Sequence, residues 1–92
     1  MYFVYVLWSE KLRKRYVGMT EDVEKRMNQH NMGMSPFTKR GIPWELIHRE
    51  EYPSKVEAHK RELFLKSGKG RSWLDGEFIL FTRKSRTQTG SS

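Results

Sequence analysis

The sequence predicts a small α/β fold, a three-stranded and mainly antiparallel sheet flanked by helices in the order β-β-α-β-α-α. Two runs of β-branched and aromatic residues, 2–8 and 44–48, have the composition and length of strands. Helix-start signals occur at Thr20 and Ser54. A chain of 92 residues has room for one small hydrophobic core, which the sheet and its helices must share.

Charge is the most informative feature of the composition. Eighteen Lys and Arg against eleven Asp and Glu give a formal net charge of +7. This balance favours an anionic partner such as DNA or RNA, because Lys and Arg neutralise phosphates. The alternative is that the charge serves only solubility. Three Trp, four Tyr and five Phe indicate a folded chain rather than a disordered basic tail.

Several classes of protein are excluded by what the sequence lacks. It contains no cysteine, which excludes disulfides and thiolate metal sites. No apolar run approaches the roughly 20 residues that a membrane-spanning helix requires. The first three residues also lack the basic region of a signal peptide. We therefore expect a cytoplasmic protein that makes no contact with a membrane.

The first three elements follow from local patterns. Residues 2–8 have no polar break, which predicts a strand buried on both faces, and residues 16–19 form a second strand close enough to pair with it as an antiparallel hairpin. Thr20 is the predicted N-cap of a helix whose first turn is acidic. Val23 and Met27, one turn apart, form its core stripe, and Gly33 is the predicted stop.

The remaining elements are also predicted from local sequence patterns. The third strand is predicted to end before Pro53. Ser54 and Glu57 form a capping-box pattern for a helix that runs to about Lys66. Residues 67–70 contain two glycines and predict a break, after which residues 71–74 form one more turn.

We divide the chain into a domain over residues 1–75 and a C-terminal extension over residues 76–92. The extension is apolar at residues 78–81 and then basic, and we expect its end to be frayed.

Two tyrosines on the paired strands are the first candidate site residues. Tyr5 lies in the middle of the first strand, and Tyr16 opens the second. Strand alternation places Tyr16 and Gly18 on one face, and a glycine inside a strand often marks the close approach of a ligand or another backbone. The alternative is that both tyrosines are ordinary cross-strand packing partners.

Arg26 and His30 lie at positions i and i+4 of the first helix and project from one face. A guanidinium matches a phosphate in bidentate fashion, and an imidazole can donate a hydrogen bond or transfer a proton. The alternative is a solvated flank of the helix. Glu62 lies in the middle of the next helix, where it either pairs with Lys66 or serves as a ligand for a hard cation such as Mg²⁺.

These residues occur in an order and spacing that resembles the GIY-YIG nuclease superfamily, and in particular its small stand-alone bacterial members. Residues 3–5 stand where the first motif of that family falls, and residues 16–18 where the second falls. The resemblance covers roughly residues 2–75. Three features depart from it: Phe3 replaces the glycine of the first motif, Met19 replaces a lysine found in some branches, and the hairpin loop lacks a turn glycine.

The resemblance implies a metal-dependent endonuclease that hydrolyses DNA phosphodiester bonds. Tyr16 would be the general base, and Tyr5 would hydrogen-bond the attacking water or a phosphate oxygen. Arg26 would stabilise charge on the phosphate, and His30 would bind the phosphate or assist proton transfer. Glu62 would hold Mg²⁺ or Mn²⁺.

The resemblance also implies a set of basic residues that position the DNA backbone, a role in DNA repair or recombination, and a protein partner that supplies specificity. The basic residues are Arg13, Lys14, Arg15, Lys39, Arg40, Lys69 and Arg71. Two alternatives remain open at this point. One is a catalytically weak or inactive nucleic-acid-binding module on the same fold. The other is a small basic interaction or RNA-associated protein in which the tyrosines and Trp8, Trp44 and Trp73 serve as core or stacking surface.

Overall fold

A computed structural model describes residues 1–77 and confirms the α/β class and the order β-β-α-β-α-α. The elements are β1 (Tyr2–Ser9), β2 (Lys14–Thr20), α1 (Val23–Asn31), β3 (Trp44–Tyr52), α2 (Lys55–Lys66) and α3 (Gly68–Glu77), with a single 3₁₀ turn (Lys39–Gly41) before β3. The residues group into two compact units, Met1–Glu62 and a second that begins at Leu63. The apolar and basic parts of the predicted extension lie outside the described residues.

The sheet has the order β2-β1-β3, and both pairs are antiparallel. Because β1 is the central strand, its residues meet a neighbour on each side, and Val4 through Trp8 are at most 5% exposed. This confirms the prediction from the unbroken apolar run. The register of β1 with β3 shifts between Val6 and Leu7. Arg13 takes the left-handed conformation (φ 58°) in the hairpin turn, the position where a glycine would be expected.

Helix α1 begins two residues later than predicted. Asp22 is its N-cap, and its carboxylate accepts a hydrogen bond from the Lys25 amide at 3.1 Å. Thr20 instead closes β2, where it is still paired with Phe3. The prediction that Thr20 is the cap is wrong because ladder pairing continues through that residue. The local sequence offers two capping side chains, and the sheet uses the first.

The end of α1 is a Schellman motif that confirms Gly33 as the stop. Gly33 has a φ of 76°, a conformation that favours glycine. Its amide donates to the carbonyl of His30 at 3.2 Å, and the Met34 amide donates to the carbonyl of Gln29 at 3.0 Å. The chain therefore leaves the helix in a fixed direction.

Helix α2 begins at the predicted cap, although the bonding differs in detail. The Ser54 hydroxyl accepts from the Glu57 amide at 3.2 Å and donates to the Glu57 carboxylate at 3.1 Å. The expected return bond would have joined that carboxylate to the Ser54 amide. None of the helices in residues 1–77 is long and apolar enough to cross a membrane.

Helix α3 is longer than the single turn predicted, because the break is confined to Ser67. A Cβ atom on Gly70 would collide with the Phe64 carbonyl oxygen and the Leu65 backbone. Gly70 is therefore required for close packing against the end of α2, not for a loop. Reading the glycines as a break missed this packing role.

The face of the sheet that carries Val4 also carries a hydrogen-bonded carboxylate, Glu50, which pairs with Val4 across the strands. Arg61 of α2 donates to both oxygens of Glu50 at 2.8 and 3.0 Å. Tyr52 donates to the same carboxylate at 2.6 Å, and His48 lies 2.8 Å from it. Burial by itself would raise the pKa of Glu50, but the bonds from Arg61, Tyr52 and His48 outweigh it and lower the pKa to about 2.

This network predicts a specific loss of stability in acid. Because the folded pKa of Glu50 lies below its unfolded value, its contribution is present above about pH 5 and is lost as the pH falls toward 2. We expect that contribution to be on the order of 3 kcal/mol in the free energy of unfolding. Urea unfolding at several pH values should show a shallower acid dependence for Glu50→Gln than for the exposed control Glu51→Gln. Equal slopes for the two variants would contradict the assignment.

Candidate active site

The tyrosine pair is organised by Gly18. In the register of β1 with β2, Tyr5 lies opposite Gly18, so both are on the same face as Tyr16. A Cβ atom on Gly18 would lie 2.5 Å from the Tyr5 hydroxyl oxygen and 2.6 Å from Cζ. The Tyr5 ring therefore lies across β2 over a position that only glycine can occupy. The close approach that the strand glycine predicted is made by this side chain.

Tyr5 is part of a buried hydrogen-bond chain, which we call the relay, formed by Tyr5, His30 and Thr38. The Tyr5 hydroxyl lies 2.9 Å from His30 Nε2, and His30 Nδ1 lies 2.7 Å from the Thr38 hydroxyl. The Thr38 hydroxyl in turn donates to the Ser35 carbonyl at 3.5 Å. All three residues of the relay are at most 1% exposed.

Both ring nitrogens of His30 are engaged in the relay. A neutral imidazole has one donor and one acceptor nitrogen, so His30 donates to one of its two hydroxyl partners and accepts from the other. Burial and the nearby charge of Arg26 lower the pKa of His30 to about 4, so the ring is neutral near pH 7.

Arg26 stands at the outer end of the relay. Its Nη1 donates to the Gln29 side chain at 2.9 Å, and its guanidinium is close enough to Tyr5 to affect the pKa of that phenol. Burial raises the pKa of Tyr5, the Arg26 guanidinium opposes that rise, and the neighbouring Tyr16 adds to it. Tyr5 is thus a protonated phenol near pH 7. Arg26 is half-buried, and its remaining N–H groups are available for a phosphate.

Tyr16 differs from Tyr5 in that it is half-buried and reaches solvent. Its ring stands edge-on to His30 with centroids 5.1 Å apart, and edge-on to Trp44 at 6.2 Å. It lies 6.4 Å from the Tyr5 ring. Tyr16 also packs, with Met27, against the core cluster of Tyr5, Leu7 and Trp44. The ring is therefore held from several sides, while part of the Tyr16 side chain reaches solvent.

Glu62 lies on α2, and its carboxylate affects the Tyr5 phenol. Its carboxylate is close enough to Tyr5 that its charge raises the pKa of that phenol. The side chain is 14% exposed and lies 3.4 Å from His59 Nδ1 on the same helix. The structure therefore brings Tyr5, Tyr16, Arg26, His30 and Glu62 into one neighbourhood.

Comparison with known proteins agrees with this arrangement. A family model of the GIY-YIG catalytic domain matches residues 1–74. The chain belongs to the GIY-YIG family. The contact between Tyr5 and Gly18 joins residues 3–5 to residues 16–18, the two segments that resemble the namesake motifs, and Tyr5 is the one member of the relay that lies in them. No solved structure matches the chain at a significant level.

Several relatives carry the printed name UPF0213 protein. The chain is 40% identical over 53 residues to one from Staphylococcus saprophyticus, a match that covers 56% of this chain and 65% of the relative. It is 39% identical over 67 residues to one from Natronomonas pharaonis, covering 72% and 78%. A third, from Streptococcus agalactiae, is 38% identical over 52 residues, covering 55% and 59%. The chain thus spans about six tenths of the length of the first and third of these relatives.

The donor set can be compared with the metal that GIY-YIG nucleases use. Residues 1–77 contain no group of three or more His, Asp or Glu that could enclose an ion. A single, mostly buried carboxylate is instead present at Glu62, beside the tyrosines and Arg26. This set fits Mg²⁺ or Mn²⁺ of the kind that binds one or two carboxylates and takes its other ligands from water and substrate phosphate. It does not fit a metal that needs a complete protein cage.

The basic residues predicted to contact DNA occupy three places. Arg13 and Lys14 are exposed and Arg15 is half-buried at the β1–β2 hairpin, but Arg13 is already paired with Glu10 at 2.8 Å. The exposed Lys39 and Arg40 lie in the 3₁₀ turn. The exposed Lys69 and Arg71 lie on α3, in the second compact unit.

Two site residues were not anticipated from the sequence. Thr38 follows His30 by eight residues across a loop, and no helical or strand spacing connects them. His59, by contrast, precedes Glu62 by three residues on a helix, so the i, i+3 rule could have identified it. His30 itself is fully buried, and both of its ring nitrogens are engaged by Tyr5 and Thr38.

The Gly18 contact predicts that a single methyl group will disrupt the site. In Gly18→Ala the new Cβ would overlap the Tyr5 phenol, and we expect a loss of about 1 to 3 kcal/mol in the free energy of unfolding. Gly76→Ala is the matched control, because a Cβ there meets no atom of residues 1–77 within 4 Å. Urea denaturation of both variants tests this, and similar stabilities would show that Tyr5 does not lie over Gly18.

The relay predicts that His30 resists protonation. Its folded pKa of about 4 lies below the ordinary value of 6.5, so the folded state binds fewer protons and loses stability as the pH falls from about 6.5 to 4. NMR titration of the His30 ring should show a neutral imidazole throughout the range above about pH 5. An apparent pKa near 6.5 would mean that the ring is solvated. Phe37→Ala, which alters an exposed neighbour of Thr38, should leave the titration unchanged.

Proposed function

We propose that this chain is a metal-dependent endonuclease that hydrolyses phosphodiester bonds in DNA. The GIY-YIG family is generally one of nucleases. The observation that carries the proposal is the convergence of a solvent-reaching tyrosine, a half-buried arginine, and a lone carboxylate around the buried relay. Each member of this group has a role in phosphodiester hydrolysis, as the next paragraphs argue.

Tyr16 is the proposed general base. It is the one of the two motif tyrosines that reaches solvent, whereas the Tyr5 hydroxyl is occupied by His30. In its phenolate form Tyr16 takes a proton from an attacking water as the water oxygen bonds to phosphorus. The P–O bond to the leaving oxygen breaks with its electron pair, and that oxygen then takes a proton from solvent. A free phenol has a pKa near 10, so a tyrosine base needs cationic neighbours, and Arg26 is the cation of this site.

Arg26 is the proposed electrostatic stabiliser. Its bond to Gln29 and its position beside the Tyr5 phenol orient the guanidinium before substrate arrives. The free N–H groups can then meet the negative charge that grows on the phosphate oxygens. The relay serves this function by holding Tyr5, and through it Arg26, against the rigid core. Tyr5 and His30 thus act as positioning residues.

Glu62 is the proposed metal ligand. It would hold Mg²⁺ or Mn²⁺, which when bound supplies positive charge that stabilises the leaving oxygen. His59 beside it at 3.4 Å can orient the carboxylate. Basic residues of the hairpin and the 3₁₀ turn, notably Lys14, Lys39 and Arg40, would contact the DNA backbone. A cytoplasmic location and a role in repair or recombination, with a protein partner for specificity, belong to the same proposal.

Met19 supports a second candidate, a nucleic-acid-binding module with little or no catalysis. Lysine occupies this position in some branches of the family, where it would help to lower the pKa of a tyrosine. Here the residue is an uncharged, half-buried methionine paired with Val4. Such a module would bind DNA in a salt-sensitive manner and would not cleave it in any divalent metal.

Plasmid nicking distinguishes the two candidates. In Mg²⁺ or Mn²⁺ the wild-type chain should nick supercoiled DNA, and EDTA should stop it. We expect Glu62→Ala and Tyr16→Phe to lower the rate by at least about 100-fold, because each removes a group that acts in the transition state. Both should retain DNA binding, since phosphate contacts from other residues supply most of the affinity.

Glu45→Ala is the control, because Glu45 is an exposed carboxylate on β3. Metal-dependent nicking by a clean preparation of Glu62→Ala would refute the proposed ligand. DNA binding by the wild-type chain without nicking in either metal would favour the binding module.

A further inference from the structure

The connection between α1 and β3 exposes an unusual amount of apolar surface. Phe37 is 88% exposed, Met32 74% and Met34 64%. A protein of 92 residues has few large apolar side chains, and leaving them in water gains nothing for folding. Exposed apolar groups that lie together in sequence commonly mark a binding surface. Phe37 is the most exposed of these side chains and the only aromatic one.

The segment that carries Phe37 is held firmly. Ser35, Thr38 and Gly41 are buried, and they alternate with the exposed residues. The amides of Thr38 and Lys39 both donate to the Ser35 carbonyl, at 3.2 and 3.0 Å. The Trp44 indole donates to the Thr38 carbonyl at 2.6 Å, and the Ser9 hydroxyl donates to the Gly41 carbonyl at 2.7 Å. The backbone around Phe37 is thus fixed from both sides.

Charge indicates what this surface meets. Residues 25–44 contain four Lys and Arg and no Asp or Glu. Two of them, Lys39 and Arg40, follow Phe37 closely and are exposed. An exposed aromatic ring followed in the chain by two exposed cations, with no acid in residues 25–44, matches nucleic acid, whose bases stack on aromatic rings while its phosphates meet the cations. An apolar protein surface would offer no negative groups to pair with Lys39 and Arg40.

The position of Phe37 connects it with the site. The next residue, Thr38, is the inner end of the relay that leads through His30 to Tyr5. A base stacked on Phe37 would therefore contact the loop segment that holds Thr38 against His30. Met32 and Met34 flank the same segment and add polarisable surface.

We infer that Phe37 is a stacking residue for an unpaired nucleobase, and that this chain binds DNA with unpaired bases in preference to perfect duplex. The inference rests on the proposed function in so far as the substrate is nucleic acid, but it does not require cleavage. A duplex buries the faces of its bases, so Phe37 can stack only on a base that has left the helix or was never paired.

Binding in EDTA tests the inference without cleavage. Fluorescence anisotropy would compare a labelled thymidine oligonucleotide with a perfect duplex of the same length. We expect Phe37→Ala to weaken binding of the single strand by about tenfold or more, because one stacked base is lost. Duplex binding and its salt dependence should be unchanged, since no phosphate contact is removed. Phe37→Trp should restore the single-strand affinity.

Val56→Ala is the matched control. Val56 is 64% exposed on α2 and lies outside the segment, so its loss should change neither affinity. An oligonucleotide with 2-aminopurine provides a second readout, since stacking on Phe37 should change its fluorescence in wild type and not in Phe37→Ala. Equal single-strand affinities for wild type and Phe37→Ala would overturn the inference. So would equal losses on single strand and duplex, which would indicate a structural role or another class of partner.

The outcomes separate this inference from the proposed nuclease activity. Nicking that depends on Glu62, with single-strand binding unaffected by Phe37→Ala, would uphold the nuclease and overturn the stacking role. Single-strand binding that depends on Phe37, without nicking in any metal, would uphold the stacking role and overturn the nuclease. Absence of binding to either nucleic acid would overturn both.

Discussion

The buried relay of Tyr5, His30 and Thr38 is the constraint on which the rest of the site depends. Three polar side chains without solvent would each cost free energy if left unpaired. In residues 1–77 every buried side-chain N or O atom has a hydrogen-bond partner. Satisfying the relay requires a glycine at position 18 to admit the phenol, a turn that brings Thr38 to the imidazole, and a neutral His30. Arg26 lies next to Tyr5, at the end of the relay opposite Thr38.

Core and site are therefore one structure in this protein. Tyr5 belongs both to the relay and to the hydrophobic cluster with Leu7 and Trp44. In a small domain the same residues must provide stability and chemistry, because there is little other interior. Substitutions at the site will accordingly change folding as well as activity. The solvent-reaching Tyr16 and the partly exposed Arg26 are the members through which substrate can approach.

The two faces of the sheet have different roles. One face carries Tyr5 and the proposed chemistry, and the other carries Glu50, which binds Arg61 of α2 through two hydrogen bonds. Arg61 and Glu62 are consecutive on that helix, so they project in directions about 100° apart. The Glu50–Arg61 pair thus sets the rotation of α2 next to Glu62. An ion pair on the opposite face of the sheet from Tyr5 thus helps to define where the Glu62 carboxylate lies.

The sequence by itself determined the elements and the candidate residues. The apolar run of β1, the glycine stop of α1 and the order of the motifs are local patterns, and local backbone preferences are enough to predict them. Only the tertiary structure decided how the residues are used. Thr20 gave way to Asp22 as the cap because strand pairing extended through it, and Gly70 serves packing because two helices meet there. Likewise, Thr38 is the partner of His30 although it lies eight positions further along the chain, and Tyr16 stays accessible where Tyr5 is buried. Burial and partners depend on contacts between distant residues, and no spacing rule encodes those contacts.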